Sequence, residues 1–373
     1  MSPTSYQTAP PRVAPYVLAK KRTSGRAPGV LEDPPPHRAP AAPTPPTFAR
    51  PPSISARPTL PSTIPPVRVA VVDIGTNSTR LLVADVDPDS GAVQELVRHS
   101  NVTRLGHGVD ATGALDADAM ERVFAVLAGY RAEIDANGAA ANLAVLTSAV
   151  RDASNGADFA ARVRSDFGLD ARVLSGDEEA QLTFLGAMAG RPEPTEPTVV
   201  IDIGGGSTEF VVGVGRAAAF HTSLHAGVVR MSERHIHTDP PAPSELNELA
   251  LDVRATLLQG LPAEQRAPVR HGIAVAGTAT SAAAIDLELD PYDPARVHGY
   301  TLQLGTVELL LARLADMTEP QRRQVVGLNP DRAPTIVAGM ILLEEAMRAF
   351  ELEHVEVSEH DILYGGALQL ARG

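Results

Sequence analysis

The sequence predicts an α/β protein built from two copies of one supersecondary unit that face each other across a cleft. The first observation is an internal repeat: a strand, an Asp-x-Gly turn and a second strand occur at residues 69–86 and again 129 positions later, so that Asp73 corresponds to Asp202. The second is that short β-branched runs alternate with segments whose apolar residues recur at helical spacing. A repeated unit indicates a duplicated domain, and clefts between domains are common ligand sites.

The second copy, residues 198–212, has the features of a phosphate-binding turn. Its strand residues 199–201 are β-branched, as expected for a strand covered on both faces. Consecutive glycines at 204–206 remove every Cβ from the turn, so that backbone N–H groups can approach an anion. Asp202 ends the strand and Glu209 follows the turn. Two carboxylates would repel a phosphate unless a hard cation such as Mg²⁺ lay between them.

Residues 1–66 are predicted to form a disordered tail, because 18 of the 32 prolines lie there without a sustained apolar period. The tail is basic, whereas the rest of the chain is strongly acidic, which argues against nucleic-acid binding. The absence of cysteine excludes disulfides and thiolate metal sites. No apolar stretch has the length of a membrane span or the flanks of a secretory signal, so we expect a cytoplasmic protein that does not bind membranes.

The first half continues as alternating strands and helices. Residues 92–99 are predicted to be the third strand of a meander, and residues 116–137 an amphipathic helix. The next strand, residues 144–149, delivers Arg151 at its carboxyl end, where open α/β sheets place ligand contacts. Arg151 is therefore a phosphate-binding candidate, with a surface ion pair to a nearby aspartate as the alternative.

A helix at residues 177–188, after a helix at 159–167 and a strand at 171–174, opens with three acidic residues. Such residues usually complement the helix dipole. This helix, however, begins at the crossing between the two halves, so a carboxylate in its first turn could face the cleft and act as a general base. Neighbouring helical residues point about 100° apart, so Glu178 and Glu179 cannot both do so. Spacing alone does not choose between them.

The second half is predicted to repeat the pattern. Strands follow the glycine turn to about residue 224, and a strand at 271–276 runs into Gly277 and Thr278, whose N–H groups could bind another phosphate. A close helix–strand packing turn is the alternative. The remaining predicted elements are helices at 245–258, 305–316 and 332–350, a strand at 353–357, and a terminal helix to residue 372 that opens with a Ser358-x-x-Asp361 capping box.

Several motifs, taken together and in order, resemble the Ppx/GppA phosphatase family: Asp73-Ile-Gly-Thr-Asn-Ser78, Thr147-Ser-Ala-Val-Arg151, Ser175-Gly-Asp-Glu-Glu-Ala180, Asp202-Ile-Gly-Gly-Gly-Ser-Thr-Glu209, Ala276-Gly-Thr278, Val297-His-Gly-Tyr300 and Val357-Ser-Glu-His-Asp361. The family comprises exopolyphosphatases and guanosine pentaphosphate phosphohydrolases, and the chain most resembles the short, two-domain actinobacterial exopolyphosphatases. The resemblance implies an actin-like fold of duplicated ribonuclease-H-like domains with an interdomain active site. Domain I is expected at residues 67–182 plus the terminal helix, 361–373, and domain II at 183–360.

The resemblance also implies roles for individual residues. It identifies Glu179 as the catalytic residue and gives Asp202 and Glu209 phosphate or Mg²⁺ roles. We expect these two carboxylates to be ligands of Mg²⁺ or Mn²⁺. Many members read Arg-Ala-Asp where this chain has Arg332-Ala-Pro334, which weakens any role for Arg332. The expected phosphate-binding residues are Asp73, Gly75, Asn77, Ser78, Arg151, Gly204, Gly205, Gly206, Ser207, Gly277 and Thr278.

The expected activity is the metal-assisted release of terminal orthophosphate from inorganic polyphosphate, with Glu179 activating water. Two alternatives stay open: a guanosine pentaphosphate (pppGpp) 5′-phosphohydrolase, and a weakly catalytic regulator that binds the alarmone or polyphosphate. An actin-like ATPase or sugar kinase would need an adenosine pocket, of which the Ala276-Gly-Thr278 turn is only a fragment. The expected partners are polyphosphate or pppGpp and, in a homodimer, a second copy of the chain.

Overall fold

The computed structural model describes residues 65–373, so all but the last two residues of the predicted tail lie outside the described residues. No helix in this part of the chain is both long and apolar enough to cross a membrane. The elements of the first half are β1 Val67–Ile74, β2 Ser78–Val86, β3 Val93–Val102, α1 Val109–Thr112, α2 Ala117–Asn137, β4 Ala141–Leu146, α3 Ser148–Asp152, α4 Gly156–Phe167, β5 Ala171–Val173 and α5 Gly176–Ala187.

The elements of the second half are β6 Thr198–Ile203, β7 Thr208–Val214, β8 Ala217–Leu224, α6 Val228–His235, α7 Pro243–Gly260, α8 Ala263–Arg266, β9 His271–Val275, α9 Ala276–Asp286, α10 Pro294–Val297, β10 Thr301–Gln303, α11 Leu304–Ala315, α12 Glu319–Arg322, a 3₁₀ helix Pro330–Arg332, α13 Ile336–Ala349, β11 His354–Val357 and α14 Ile362–Arg372.

Both sheets contain the same arrangement of strands. In the first sheet, of order β3-β2-β1-β4-β5, β1 pairs antiparallel with β2 and parallel with β4. In the second, of order β10-β11-β9-β6-β7-β8, β6 pairs antiparallel with β7 and parallel with β9. The predicted duplication is therefore present, and the fold is the expected actin-like α/β fold.

Each central strand is buried on both faces, as its apolar sequence predicts. Along β1, Ala70 and Val72 join the hydrophobic cluster that includes α2 and α4. The alternate residues, Val69 and Val71, join a different cluster with Leu363 and Leu368 of α14. This alternation follows from the two-residue period of a strand, and it places the terminal helix on the first sheet.

Helices α5 and α14 form a central layer between the two sheets. Phe184 of α5 packs with Val200 of β6 on the second sheet, whereas α14 packs on the first sheet. The two helices touch backbone to backbone, since a Cβ added to Gly365 would lie 1.9 Å from the carbonyl oxygen of Leu182. The first turn of α5 consequently lies where both halves can reach it. The domain boundaries at residues 182/183 and 360/361 stay a prediction.

Three local predictions were wrong. The strand predicted to reach residue 149 ends at Leu146, because the N–H groups of Val150 and Arg151 donate to the Thr147 carbonyl and start α3. The helix predicted from residue 332 begins at Ile336, after the 3₁₀ helix.

The capping box predicted at the start of the terminal helix is also absent. Asp361 itself is the N-cap, and its Oδ1 accepts the N–H of Leu363 at 3.0 Å. The Ser358 hydroxyl bonds the backbone of His360 instead. The motif was misread because a Ser-x-x-acid spacing also occurs in a turn that precedes a helix by several residues.

Candidate active site

The two Asp-x-Gly turns meet at a small cavity between the sheets, with a volume of about 90 Å³. Its walls come from both turns, from Glu179 of α5, and from the start of α9. Arg151 and Gly206 are absent from its lining. The sequence-predicted residues that line it are Asp73, Gly75, Asn77, Ser78, Glu179, Asp202, Gly204, Gly205, Ser207, Glu209, Gly277 and Thr278.

The two turns have the same hydrogen-bonded geometry. The N–H of Gly75 donates to the carbonyl oxygen of Ser78 at 3.0 Å, and Gly204 donates to Ser207 at the same distance. Within residues 65–373, the N–H groups of Asn77, Gly205 and Ser207 have no protein acceptor. Because unpaired backbone donors that border a cavity form an anion site, the turns have the chemistry of a two-sided phosphate cradle.

The glycines of the second turn allow it to touch the first. A Cβ on Gly205 would lie 2.8 Å from the Cβ of Thr76, and a Cβ on Gly206 would lie 2.6 Å from Oγ of Ser148. Both distances are too short for real atoms, so any side chain at these positions would push the turns apart. Gly206 therefore packs against the first half of the chain, although it does not border the cavity.

The structure separates the two neighbouring glutamates of α5. Glu178 forms a capping box with Ser175, accepting its N–H at 2.8 Å, as helix-start acids commonly do. Glu179 is only 7% exposed and lines the cavity. Burial raises the pKa of Glu179 well above its ordinary value, and the nearby Glu209 carboxylate raises the pKa further.

Arg151 contacts Glu179 rather than the cavity. Its Nη1 donates to Glu179 Oε2 at 3.0 Å and to the Leu174 carbonyl at 2.9 Å. The ion pair lowers the pKa of Glu179 and so partly offsets the effect of burial. This contact orients the carboxylate and favours its ionised form, which is the form that a general base requires.

Asp202 and Glu209 lie side by side on β6 and β7, where they are direct cross-strand partners. Each accepts a hydroxyl hydrogen bond: Asp202 from Thr183 at 3.2 Å, and Glu209 from Ser223 at 2.7 Å. Burial, followed by repulsion from Glu209, raises the pKa of Asp202 to about 8. Burial raises the pKa of Glu209 as well.

This carboxylate pair fits a hard divalent cation that keeps part of its hydration. No group of three or more His, Asp or Glu side chains in the described part of the chain is arranged to hold a metal ion by itself. Mg²⁺ is usually bound by one or two carboxylates together with substrate phosphates and water. Two adjacent buried carboxylates with raised pKa values, next to unpaired N–H groups, match that pattern better than a closed metal cage.

Asp73, which corresponds to Asp202 in the first turn, is used differently. Its Oδ2 accepts a hydrogen bond from Arg80 Nε at 2.8 Å, and Arg80 also forms an ion pair with Asp361 at the start of α14. Burial raises the pKa of Asp73. Its other oxygen, Oδ1, is buried without a hydrogen-bond partner in the structure. A buried acceptor of this kind is satisfied by water or by a cation.

Arg332 borders the cavity opposite the turns. Its guanidinium lies directly against Gly277, where a Cβ would come within 1.3 Å of Nη1. It forms no ion pair within residues 65–373, whereas Arg80 is neutralised by two aspartates. A cation without a carboxylate partner beside unpaired N–H groups is well suited to a phosphate oxygen. The weakened role expected for Arg332 is therefore at odds with its position.

A second, larger cavity of about 790 Å³ adjoins the first and shares Arg80, Ala276, Gly277 and Arg332 with it. Ala276, at the junction, adopts a left-handed backbone with φ of 63°. Such strain in a residue other than glycine often marks functional sites. Tyr292, which is 47% exposed, lies on the wall of the larger cavity.

Arg80 and Thr76 are site residues that sequence reasoning missed. Arg80 pairs with Asp361, which is 281 positions away in the chain, and no local pattern could have indicated that contact. Thr76 matters because it fits against glycines of the other turn. Its place inside the Asp-x-Gly-Thr motif was an available signal.

Comparison with known proteins shows the family of the chain. The sequence profile of the Ppx/GppA phosphatase family matches residues 82–368. The chain belongs to this family. It is 36% identical over 315 residues to exopolyphosphatase 2 of Mycobacterium tuberculosis, covering 82% of this chain and 98% of the relative. As a family member it is a hydrolase that acts on phosphoanhydrides.

Solved structures of Ppx/GppA proteins have the same fold. The Aquifex aeolicus family member superposes with a TM-score of 0.69 at 30% identity, covering 82% of this chain and 98% of that one. An exopolyphosphatase from Cytophaga hutchinsonii superposes with a TM-score of 0.74 at 25% identity, covering 82% and 97%. The fold is thus shared over 82% of this chain and over nearly the whole length of each of the two solved structures.

Proposed function

We propose that the protein is an exopolyphosphatase that releases terminal orthophosphate from inorganic polyphosphate. The observation that carries this proposal is the buried carboxylate of Glu179, which lies in a small cavity bordered by the unpaired backbone N–H groups of Asn77, Gly205 and Ser207. The cavity is small enough to favour a single phosphoryl group. A carboxylate inside it can serve as a base for water.

In the proposed reaction, the terminal phosphoryl group binds the N–H groups of both turns and the Arg332 guanidinium. A water oxygen attacks the terminal phosphorus while its proton passes to Glu179. The bond from phosphorus to the bridging oxygen breaks, which leaves orthophosphate and a chain shorter by one phosphate. Asp202 and Glu209 would hold Mg²⁺ or Mn²⁺, which supplies charge neutralisation at the phosphate oxygens when bound.

Arg151 and Arg80 act indirectly in this mechanism. Arg151 orients the Glu179 carboxylate and lowers its pKa, which favours the ionised form. Arg80 fixes Asp73 and joins it to the start of α14, so that the first turn is anchored in the central layer. Most of the rate acceleration would then come from positioning and charge stabilisation, as is usual for phosphoryl transfer.

A second candidate substrate is pppGpp, and the larger cavity favours it. That cavity adjoins the small one, and Leu289, Tyr292 and Val325 give it an apolar part. Its Glu95 and Glu359 carboxylates are both paired with Arg98. Mixed aromatic, apolar and polar walls are typical of sites that hold an organic group such as a nucleoside.

The test is phosphate release from tripolyphosphate, long-chain polyphosphate, pppGpp and ATP, measured side by side with Mg²⁺. An exopolyphosphatase releases phosphate fastest from one of the inorganic substrates, and Tyr292→Ala leaves that rate unchanged. A pppGpp phosphohydrolase prefers pppGpp, and the same variant raises the KM for it. Release from ATP alone, or from none of the four, would contradict the proposal.

A further inference from the structure

Helix α6, which sequence reasoning did not predict, binds the outer side of the glycine turn. The N–H of Val228 donates a hydrogen bond to the Gly204 carbonyl oxygen at 2.9 Å, and the N–H of Val229 donates one to the Gly205 carbonyl oxygen at 2.8 Å. The carbonyl oxygen of Gly206 accepts a hydrogen bond from Nε of Arg230, also at 2.9 Å. Every carbonyl of the glycine triplet is therefore held by the first turn of α6.

These contacts orient the phosphate cradle. In a trans peptide the N–H points away from the preceding carbonyl, because the peptide group is planar. Holding the carbonyls of Gly204 and Gly206 against α6 thus turns the next N–H groups, those of Gly205 and Ser207, to the opposite side, and both of these residues border the cavity. The fit is close, since a Cβ on Gly227 would lie 2.4 Å from the Gly205 carbonyl carbon.

The other end of the Arg230 side chain contacts the first half of the protein. Its Nη2 donates to Asp152 at 2.9 Å, and its Nη1 forms an ion pair with Asp110. Asp152 follows Arg151, the residue that contacts Glu179. The side chain of Arg230 is 13% exposed. One nearly buried guanidinium consequently connects the glycine turn of one half to the short helix of the other half that carries the partner of Glu179.

We propose that Arg230 is a positioning residue for this reaction, which sets the glycine turn and the α3 helix relative to each other. The inference rests on the proposed function. Arg230 contacts neither the cavity nor Glu179, so its effect is transmitted through the Gly206 peptide and through Asp152. Arginine is required because only its planar group donates in these separate directions at once. Lysine would keep the charge and lose the fixed geometry.

The chain offers a matched control in Arg234. This residue, one helical turn further along α6, also joins the halves through Asp110, at 3.0 Å, and it bonds Asp252 at 3.2 Å. It has no contact with the glycine turn. Arg230→Lys and Arg234→Lys therefore both disturb ion pairs of the interface, whereas only Arg230→Lys releases the Gly206 carbonyl.

The first experiment measures kcat and KM for tripolyphosphate in the parent and in both variants. Losing a charge-assisted hydrogen bond at the cradle should reduce kcat/KM of Arg230→Lys by about tenfold or more, with KM raised and kcat lowered. Arg234→Lys should stay within about twofold of the parent. Equal losses in both variants, or parent-like kinetics for Arg230→Lys, would overturn the proposal.

The second experiment does not depend on catalysis. Amide hydrogen exchange of the segment 204–209 should be faster in Arg230→Lys than in Arg234→Lys or the parent, because the turn has lost one of its outer contacts. If the parent releases no phosphate from any substrate, the proposed function fails while this comparison still decides the role of Arg230. If Arg230→Lys does not fold, Asp152→Asn is measured in its place. A lower kcat with unchanged KM for Asp152→Asn supports the connection from Arg230 to α3, and an unchanged kcat contradicts that connection.

Discussion

Replacing Asp202 by asparagine should stabilise the protein while it removes activity. In the absence of a cation, Asp202 is buried next to Glu209, and its pKa is raised to about 8 by burial and by that neighbour. The folded state therefore binds a proton that the unfolded state releases near pH 4. Stability falls as pH rises between these two values, because ionising the buried carboxyl then costs free energy. Asparagine resembles the protonated form and does not ionise.

The size of the effect follows from the pKa difference. A pKa of about 8 in the folded state, against about 4 in the unfolded state, corresponds to an upper limit of roughly 5 kcal/mol at pH 8. Glu179 and Glu209 can take up protons in place of Asp202, so we expect Asp202→Asn to raise the free energy of unfolding at pH 8 by about 2 to 3 kcal/mol. At pH 4 the carboxyl of the parent is protonated in the folded state, and the difference should vanish.

The assay is urea unfolding of parent and variant at pH 4 and pH 8, without and with excess Mg²⁺. A cation bound by Asp202 and Glu209 would offset their repulsion in the parent, so the advantage of the variant at pH 8 should shrink when Mg²⁺ is added. Thr183→Val is a matched control, because it removes the hydroxyl that donates to Asp202 without removing the charge. A variant that is less stable than the parent at pH 8 without Mg²⁺ would refute the reasoning.

Two further predictions concern the contacts around the cavity. Gly205→Ala should lower kcat/KM by about 100-fold, because its Cβ would lie 2.8 Å from the Cβ of Thr76 and would displace the phosphate-binding turn. The control is Gly129→Ala, whose Cβ has open space. Parent-like kinetics for Gly205→Ala would contradict the contact. Arg151→Gln should move the acid limb of the pH–kcat profile to higher pH. The reason is that the ion pair with Arg151 lowers the pKa of Glu179, and the base must be ionised to act. An acid limb that stays in place or moves to lower pH would contradict this pairing.

The repeated motif predicted the fold well because it is local and periodic. Asp73 and Asp202 could be aligned from sequence, and the two hairpins proved to have the same hydrogen bonds. That a carboxylate from the first turn of α5 faces the cleft was also predictable, since α5 begins at the crossing between the halves. The choice of Glu179 over Glu178 came from the family resemblance. Structure adds the physical reason, which is that Glu178 is used to cap the helix.

Contacts between distant segments were beyond sequence reasoning. Helix α6 is short and polar, and its His235 is paired with Asp252 at 2.8 Å. The importance of Arg230 depends on carbonyl groups, which leave no trace in side-chain patterns. The role of Arg332 was considered weakened because the residues that follow it depart from the family motif. Its position in the site, however, comes from packing against Gly277, which is far away in sequence.

The most direct test of the account compares Glu179→Gln with Glu178→Gln. Both variants remove one carboxylate from the first turn of α5, and glutamine can still cap the helix at position 178. Glu179→Gln should lower kcat for tripolyphosphate by about 10² to 10⁴ while the Kd for tripolyphosphate, measured by calorimetry, changes little. Glu178→Gln should keep the kcat of the parent. Equal phosphate release by Glu179→Gln and the parent would contradict the central claim that Glu179 activates water.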